Sequence, residues 1–167
     1  FVEVALMKDV PSKIQDVLQE KRDIFNPEET SVAVFYSISN CQKGLAGISF
    51  GNFLIKQVAN DLNLEFKNLK KFITLSPVPG LRKWIKNKFP NFDLKLKKCV
   101  KPEHFIKVHD MIMNFAAQYL MTSDRLDGMP NDPVARFHLG NGASLEQVNF
   151  LGDISPNGLS SSGGIMV

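Results

Sequence analysis

Apolar positions along the chain recur with two periods, and the switches between them predict the order of elements. Phe1 to Met7 is apolar except for Glu3 and predicts a strand. After the turn Lys8-Asp9-Val10-Pro11-Ser12, the residues Ile14, Val17 and Leu18 fall at helical spacing, giving a helix to about Arg22. Asn26 to Thr30 predicts a loop. Val32-Ala33-Val34-Phe35-Tyr36-Ser37-Ile38 is β-branched or aromatic almost throughout, the pattern of a strand buried on both faces. A glycine-bearing turn follows within Ser37 to Ile48. Beyond it Phe50, Leu54, Val58 and Leu62 step by four, with Phe53, Ile55 and Ala59 widening the stripe, so a core-facing helix closing near Asn63 is expected. Phe72 to Ser76 then predicts a short buried strand, cut off by Pro77-Val78-Pro79-Gly80. Strand, turn, helix and strand form a βαβ unit, which makes the fold class α/β.

The second half is patterned differently. From Leu81 to Lys101 lysine and arginine dominate, with Trp84, Phe89 and Phe92 interleaved and Asp93 the one acidic residue. Such a mixture suits a nucleic acid, but the commoner source is a solvated insert anchored by its aromatics, and that is the expectation here. Phe105, Val108, Ile112, Phe115 and Tyr119 alternate steps of three and four, predicting one amphipathic helix from Pro102 to Met121. Asp124 to Asp132 predicts a loop, Gly140-Asn141-Gly142 a tight turn, and Leu145 to Leu151 a strand.

Composition narrows the class. A chain of 167 residues is expected to form one domain able to bury about two-thirds of its unfolded surface. With 20 basic and 17 acidic residues the net charge of +3 is too small to imply a nucleic-acid partner. Two cysteines, Cys41 and Cys99, exclude a disulfide-stapled scaffold and fit a reducing, intracellular compartment. No run approaches the roughly 20 apolar residues of a membrane span, so no membrane partner is expected. The chain opens at Phe1 rather than Met, already inside a strand-like run, and is expected to be part of a longer protein.

The glycine turn is the first candidate for chemistry. A strand feeding such a turn that opens a helix makes an anion site: bare backbone at Gly44 and Gly47 admits a ligand, and unpaired N–H groups at the helix start point at it. Neither G-x-x-x-x-G-K-[S/T] nor G-x-G-x-x-G occurs, which removes a P-loop and a dinucleotide fold. C-x-x-C and H-E-x-x-H are absent too, and His104 and His109, five apart, would lie about 140° apart on a helix, so no metal is expected. His109, between Phe105 and Ile112, reads as a boundary core residue. Ser76 lies where a strand ends, the edge at which open α/β sheets place ligands, although a serine before proline in extended backbone explains it equally. His138 stands just before the turn at Gly140 and reads as either a surface loop histidine or a catalytic one.

Five blocks tip that balance. Phe35-Tyr36-Ser37-Ile38-Ser39, then Gln42 to Gly47, Phe53-Leu54-Ile55-Lys56, Leu75-Ser76-Pro77-Val78-Pro79-Gly80, and Asn131 to Ala143 resemble, in this order, the catalytic domain of the malonyl-CoA decarboxylase family. The resemblance implies a GNAT-like mixed sheet flanked by helices, as in the N-acetyltransferases, whose loop cradles the coenzyme A pyrophosphate. It implies Ser76 and His138 as the catalytic pair, and Gln42, Gly44, Ala46, Gly47, Ile48, Ser49, Phe50, Gly51 and Asn52 as the coenzyme A contacts. Cys41 stands where the acetyltransferase loop has Q or R, Ser49 where some decarboxylases carry an acidic residue, and the segment from Trp84 to Asn131 is shorter than in the longer members. The family's N-terminal helical domain, associated with oligomerisation, is expected to lie outside this chain, so a homo-oligomer is expected of the full-length protein.

The implied activity is conversion of malonyl-CoA to acetyl-CoA and carbon dioxide, with no metal or organic cofactor, since coenzyme A arrives as part of the substrate. The implied location is cytoplasmic in a bacterium, and mitochondrial or peroxisomal in a eukaryote. An acyl-CoA N-acyltransferase and a non-catalytic acyl-CoA-binding module are the alternatives.

Overall fold

The structure, a computed structural model, describes residues 1–21, 24–39 and 51–167. Among these residues it forms three strands and eight α-helices, divided between two compact units, Phe1–Leu75 and Ser76–Val167. This is the mixed α/β class that the sequence pattern predicts. No described helix is long and apolar enough to cross a membrane.

The first unit is built on a three-stranded sheet in the order β1 (Val2–Met7), β2 (Val32–Ile38), β3 (Lys71–Thr74). β1 and β2 are antiparallel, with a register irregularity between Glu3 and Val4, and β2 and β3 are parallel. A parallel neighbour requires a crossover, which here contains α2 (Gly51–Glu65). Alternation decides what meets that helix: Ala33 and Phe35, with Val2, Val4 and Leu6, pack against Ile55, Val58, Ala59 and Leu62. Val32 and Val34, of opposite parity, are buried as well, as predicted for a strand covered on both faces. Phe53, expected to widen the apolar stripe, is instead 62% exposed: it lies outside the arc that reaches the sheet. α1 (Ile14–Leu18) stops four residues before the predicted end, where Gln19 turns extended. The predicted loop at Asn26 holds one 3₁₀ turn, Pro27–Glu29, capped by the Asn26 side chain.

The second unit is helical: α3 (Leu81–Lys88), α4 (Pro90–Leu96), α5 (Pro102–Ile106), α6 (His109–Met121), α7 (Pro133–Gly140) and α8 (Pro156–Ser162). The basic segment is not a solvated insert. It forms α3 and α4, whose Leu81, Ile85, Phe92 and Leu96 lie in the core beside Phe105, Ile112, Ala116 and Tyr119. Trp84 and Phe89 meet edge to face at 5.5 Å, and Phe89 stacks on Phe115 at 4.3 Å. Lysines fill the solvent side, so a basic count and a buried stripe coexist on the same short helices. Arg82 is drawn inward to Asp93, 3.4 Å away, and the 5% exposed Asp93 side chain also takes Lys97 at 3.2 Å.

The predicted helix from Pro102 to Met121 is two helices. Val108, at φ −121° and ψ 12°, interrupts it, yet Phe105 and Ile112 on either side remain fully buried. Periodicity reports which residues face the core, and both halves bury the same stripe, so it is blind to one changed backbone pair. The break leaves His109 in the first turn of α6 and exposed, with its ring edge-on to Phe150, rather than at a core boundary. The predicted strand from Leu145 to Leu151 shrinks to one bridging residue, Asn149, because Leu151 turns left-handed at φ 51° and ends the pairing.

One short ladder prepares the site. α8 ends at Gly163, φ 66°, where any Cβ would also overlap Ile112, and the reversal returns Ile165-Met166-Val167 along the chain that follows β3. Met166 bridges Pro77 on one side and Asn149 on the other.

Candidate functional site

Ser76 is fixed through its backbone. Its N–H donates to the Val167 carbonyl at 2.6 Å and its own carbonyl accepts from Val167 N–H at 2.9 Å. Pro77 and Pro79 then lock φ at two of the next three positions, so the turn to Gly80 has little freedom. Only 6% of Ser76 is exposed.

His138 arrives on α7, not on a loop. The reason is a helix start that hydrophobic pattern alone does not reveal: Asp132 caps it, Oδ1 accepting from Val134 N–H at 2.9 Å and Ala135 N–H at 3.1 Å, and Pro133 occupies the first turn. The dipeptide Asp132-Pro133 is the sequence signal that reveals it. Gly140 closes the helix, and Gly142, at φ 89°, supplies the turn predicted there. Arg136 braces the approach by donating to the Pro130 carbonyl at 2.9 Å.

These two supports bring Ser76 Oγ and His138 Nε2 to 3.2 Å across 62 positions of sequence. The hydroxyl donates to the imidazole or accepts from it according to the ring tautomer. Burial lowers the His138 pKa from its ordinary value near 6.5, because the charged ring loses hydration. The pair can therefore orient one small polar group and move one proton at a partly buried place. Among the described residues no three His, Cys, Asp or Glu side chains gather as a metal site would require.

Of the other expected site residues, Gly51 and Asn52 belong to α2. Gln42, Gly44, Ala46, Gly47, Ile48, Ser49 and Phe50 lie outside the described residues. Two groups near the pair were not foreseen from sequence. Asp132 Oδ2 accepts from the Gly80 N–H at 3.4 Å, and the Tyr119 hydroxyl hydrogen-bonds the same carboxylate. Burial, and then Asp132, push the Tyr119 pKa well above its ordinary value near 10.

Fold and pair together define an α/β chain with a half-buried serine–histidine contact. Comparison with known proteins carries this to a family. The family described as malonyl-CoA decarboxylase C-terminal domain matches residues 1–167, and the chain belongs to it. Among solved structures, malonyl-CoA decarboxylase from Rhodopseudomonas palustris is 46% identical with a TM-score of 0.88, covering 100% of this chain and 42% of its own. The one from Agrobacterium vitis is 48% identical with a TM-score of 0.88, covering 99% and 44%. The mitochondrial malonyl-CoA decarboxylase of Rattus norvegicus is 34% identical over 98% of this chain. The chain spans 40% of the length of that relative and of the Anser anser anser enzyme, which is 32% identical.

Proposed function

We propose that this chain is the catalytic part of an enzyme that decarboxylates malonyl-CoA to acetyl-CoA and carbon dioxide, with Ser76 and His138 as the reacting pair. The observation that carries the reading is the 3.2 Å contact between Ser76 Oγ and His138 Nε2 in a chain of this family. Malonyl-CoA is a β-carbonyl acid. Breaking its bond to the carboxylate releases carbon dioxide and leaves the electron pair as an enolate spread onto the thioester oxygen, a step that calls for no metal or organic cofactor. In this mechanism the Ser76 hydroxyl hydrogen-bonds the carboxylate that departs, holding it out of the thioester plane. Protonated His138 then delivers its Nε2 proton to the enolate carbon and is recharged from water.

Binding of the coenzyme A portion is assigned to Gln42, Gly44, Ala46, Gly47, Ile48, Ser49, Phe50, Gly51 and Asn52 on the resemblance. The enolate oxygen is assigned to backbone N–H groups of that stretch. The GNAT-like reading of the sheet is supported by the parallel pairing of β2 and β3 around α2. The remainder of the longer protein is taken to supply oligomer contacts, and the acyl-CoA substrate places the enzyme inside the cell.

Mass-resolved product analysis of the full-length protein with malonyl-CoA as sole substrate tests this. Acetyl-CoA and carbon dioxide are expected, with Ser76→Ala and His138→Ala each lowering kcat by about a hundredfold. Turnover that demands an added amine would make the protein an acyltransferase. Saturable binding without turnover would make it an acyl-CoA-binding module.

A further inference from the structure

Two stiff segments meet at one buried carboxylate. On one side, Asp132 starts α7, and His138 lies six residues, about 9 Å of helix axis, further on. On the other, Asp132 Oδ2 takes the N–H of Gly80, four residues beyond Ser76 along a turn that two prolines restrict. Tyr119, from the last turn of α6, adds its hydroxyl to the same group. Asp132 is fully buried and so accepts from Val134, Ala135, Gly80 and Tyr119, one group from each of two segments and two from α7 itself. Gly80 has no room for a side chain because a Cβ there would overlap the Tyr119 hydroxyl, so the glycine is what lets the three segments close on the carboxylate.

A helix cap needs only one oxygen. Oδ1 alone satisfies Val134 and Ala135, so Oδ2 and its link to Gly80 are surplus to the helix. The link ties the serine-bearing turn to the histidine-bearing helix at their rear, while the 3.2 Å contact lies at their front. A displacement at the rear carries along both rigid arms to the reacting atoms, where about 1 Å is enough to cost roughly a hundredfold in rate.

We propose that Asp132 is a positioning residue for the decarboxylation, its second carboxylate oxygen setting the distance between Ser76 and His138 with Tyr119 as its brace. The proposal rests on the reading of Ser76 and His138 as the reacting pair, and part of its test needs no turnover.

Asp132→Asn separates the two roles in the full-length protein: Oδ1 still caps α7, but an amide N–H₂ donates where the Gly80 N–H needs an acceptor, and the Tyr119 hydroxyl loses its carboxylate partner. Expected is a fall in kcat of about ten- to a hundredfold with the KM for malonyl-CoA within about threefold. In a His138→Ala background the same change is expected to cost less than about twofold, because its effect passes through the imidazole. Tyr119→Phe, which keeps the ring in the core, is expected to move kcat the same way by about three- to tenfold, and it carries the test if Asp132→Asn does not fold. Without turnover, acylation of His138 by diethylpyrocarbonate, read by peptide mass spectrometry, is expected to quicken by about threefold or more in either variant as the ring is released. The proposal is overturned by a kcat within twofold of the parent in both variants, by a loss that persists in full without His138, or by unchanged acylation. A parent protein that makes no acetyl-CoA sinks the functional reading instead, and the acylation rates still decide whether Asp132 holds the pair together.

Discussion

Ser76 and Val167 exchange both of their backbone hydrogen bonds, at 2.6 and 2.9 Å, so the last residue of this chain fixes the first residue of its second unit. Val167→Pro removes the N–H that Ser76 accepts and leaves a carbonyl without its partner. A loss of kcat of about tenfold or more is expected in a steady-state malonyl-CoA assay. Val167→Ala keeps both bonds and is expected to lose only packing, so equal activity losses in the two variants would argue against the ladder.

The His138 environment gives a signed pH dependence. Burial favours the neutral ring, so the charged ring, the proton donor of the proposed mechanism, is populated only below the ordinary value near 6.5. kcat/KM is therefore expected to fall as pH rises through a value under 6.5, and the limb in kcat to lie higher, since a bound malonyl carboxylate favours the charged ring. For stability the sign is opposite. The unfolded chain binds the proton more readily, so stability is complete above about 6.5 and declines as pH falls through the lowered folded value. His138→Asn is expected to erase both effects, measured as rate profiles and as denaturation midpoints across pH.

Gly80 sits at an ordinary helical φ of −83°, so its need is space and not conformation. Gly80→Ala forces a Cβ against the Tyr119 hydroxyl, and a destabilisation of about 1–3 kcal/mol is expected in urea titration. Pairing it with Tyr119→Phe is expected to recover part of that loss. Strict additivity of the two changes would place the strain elsewhere.

Asp93 tests what the basic segment is. Its carboxylate is almost wholly buried between Arg82 and Lys97, and the Arg82 side chain is itself largely covered. Asp93→Ala leaves that guanidinium without its partner, at an expected cost of about 3 kcal/mol. Lys97→Ala, at a side chain 57% exposed, is expected to change stability by less than about 1 kcal/mol. Similar shifts in thermal midpoint for the two would return the segment to a solvated insert.

Sequence pattern made the first unit legible because its elements are governed by burial. The run from Val32 to Ile38 and the apolar steps of α2 declare which face is covered, and the parallel β2 and β3 follow. The second unit was less legible because polar groups decide it. α7 exists because Asp132 and Pro133 begin it, and a reading that follows apolar spacing places His138 on a loop. The lysines of α3 and α4 masked a core stripe, since long charged chains line the rim of what they cover. Ser76 and His138 are singled out by the family resemblance and left open by their own spacing, whereas their 3.2 Å contact depends on hydrogen bonds between segments that no local pattern encodes.

The loop that joins α6 to α7 ends against a stop. Arg136 grips the carbonyls of Pro130 and Asn131, and the capping carboxylate restarts the backbone one residue later. Upstream, Leu126 is fully exposed and Gly128 has open space around it. Changes of length beside Leu126 and Gly128 are therefore expected to leave the position of the imidazole unchanged. An exposed tip of this kind is where a fluorophore, an affinity tag or a reporter domain is expected to be tolerated without disturbing the fold.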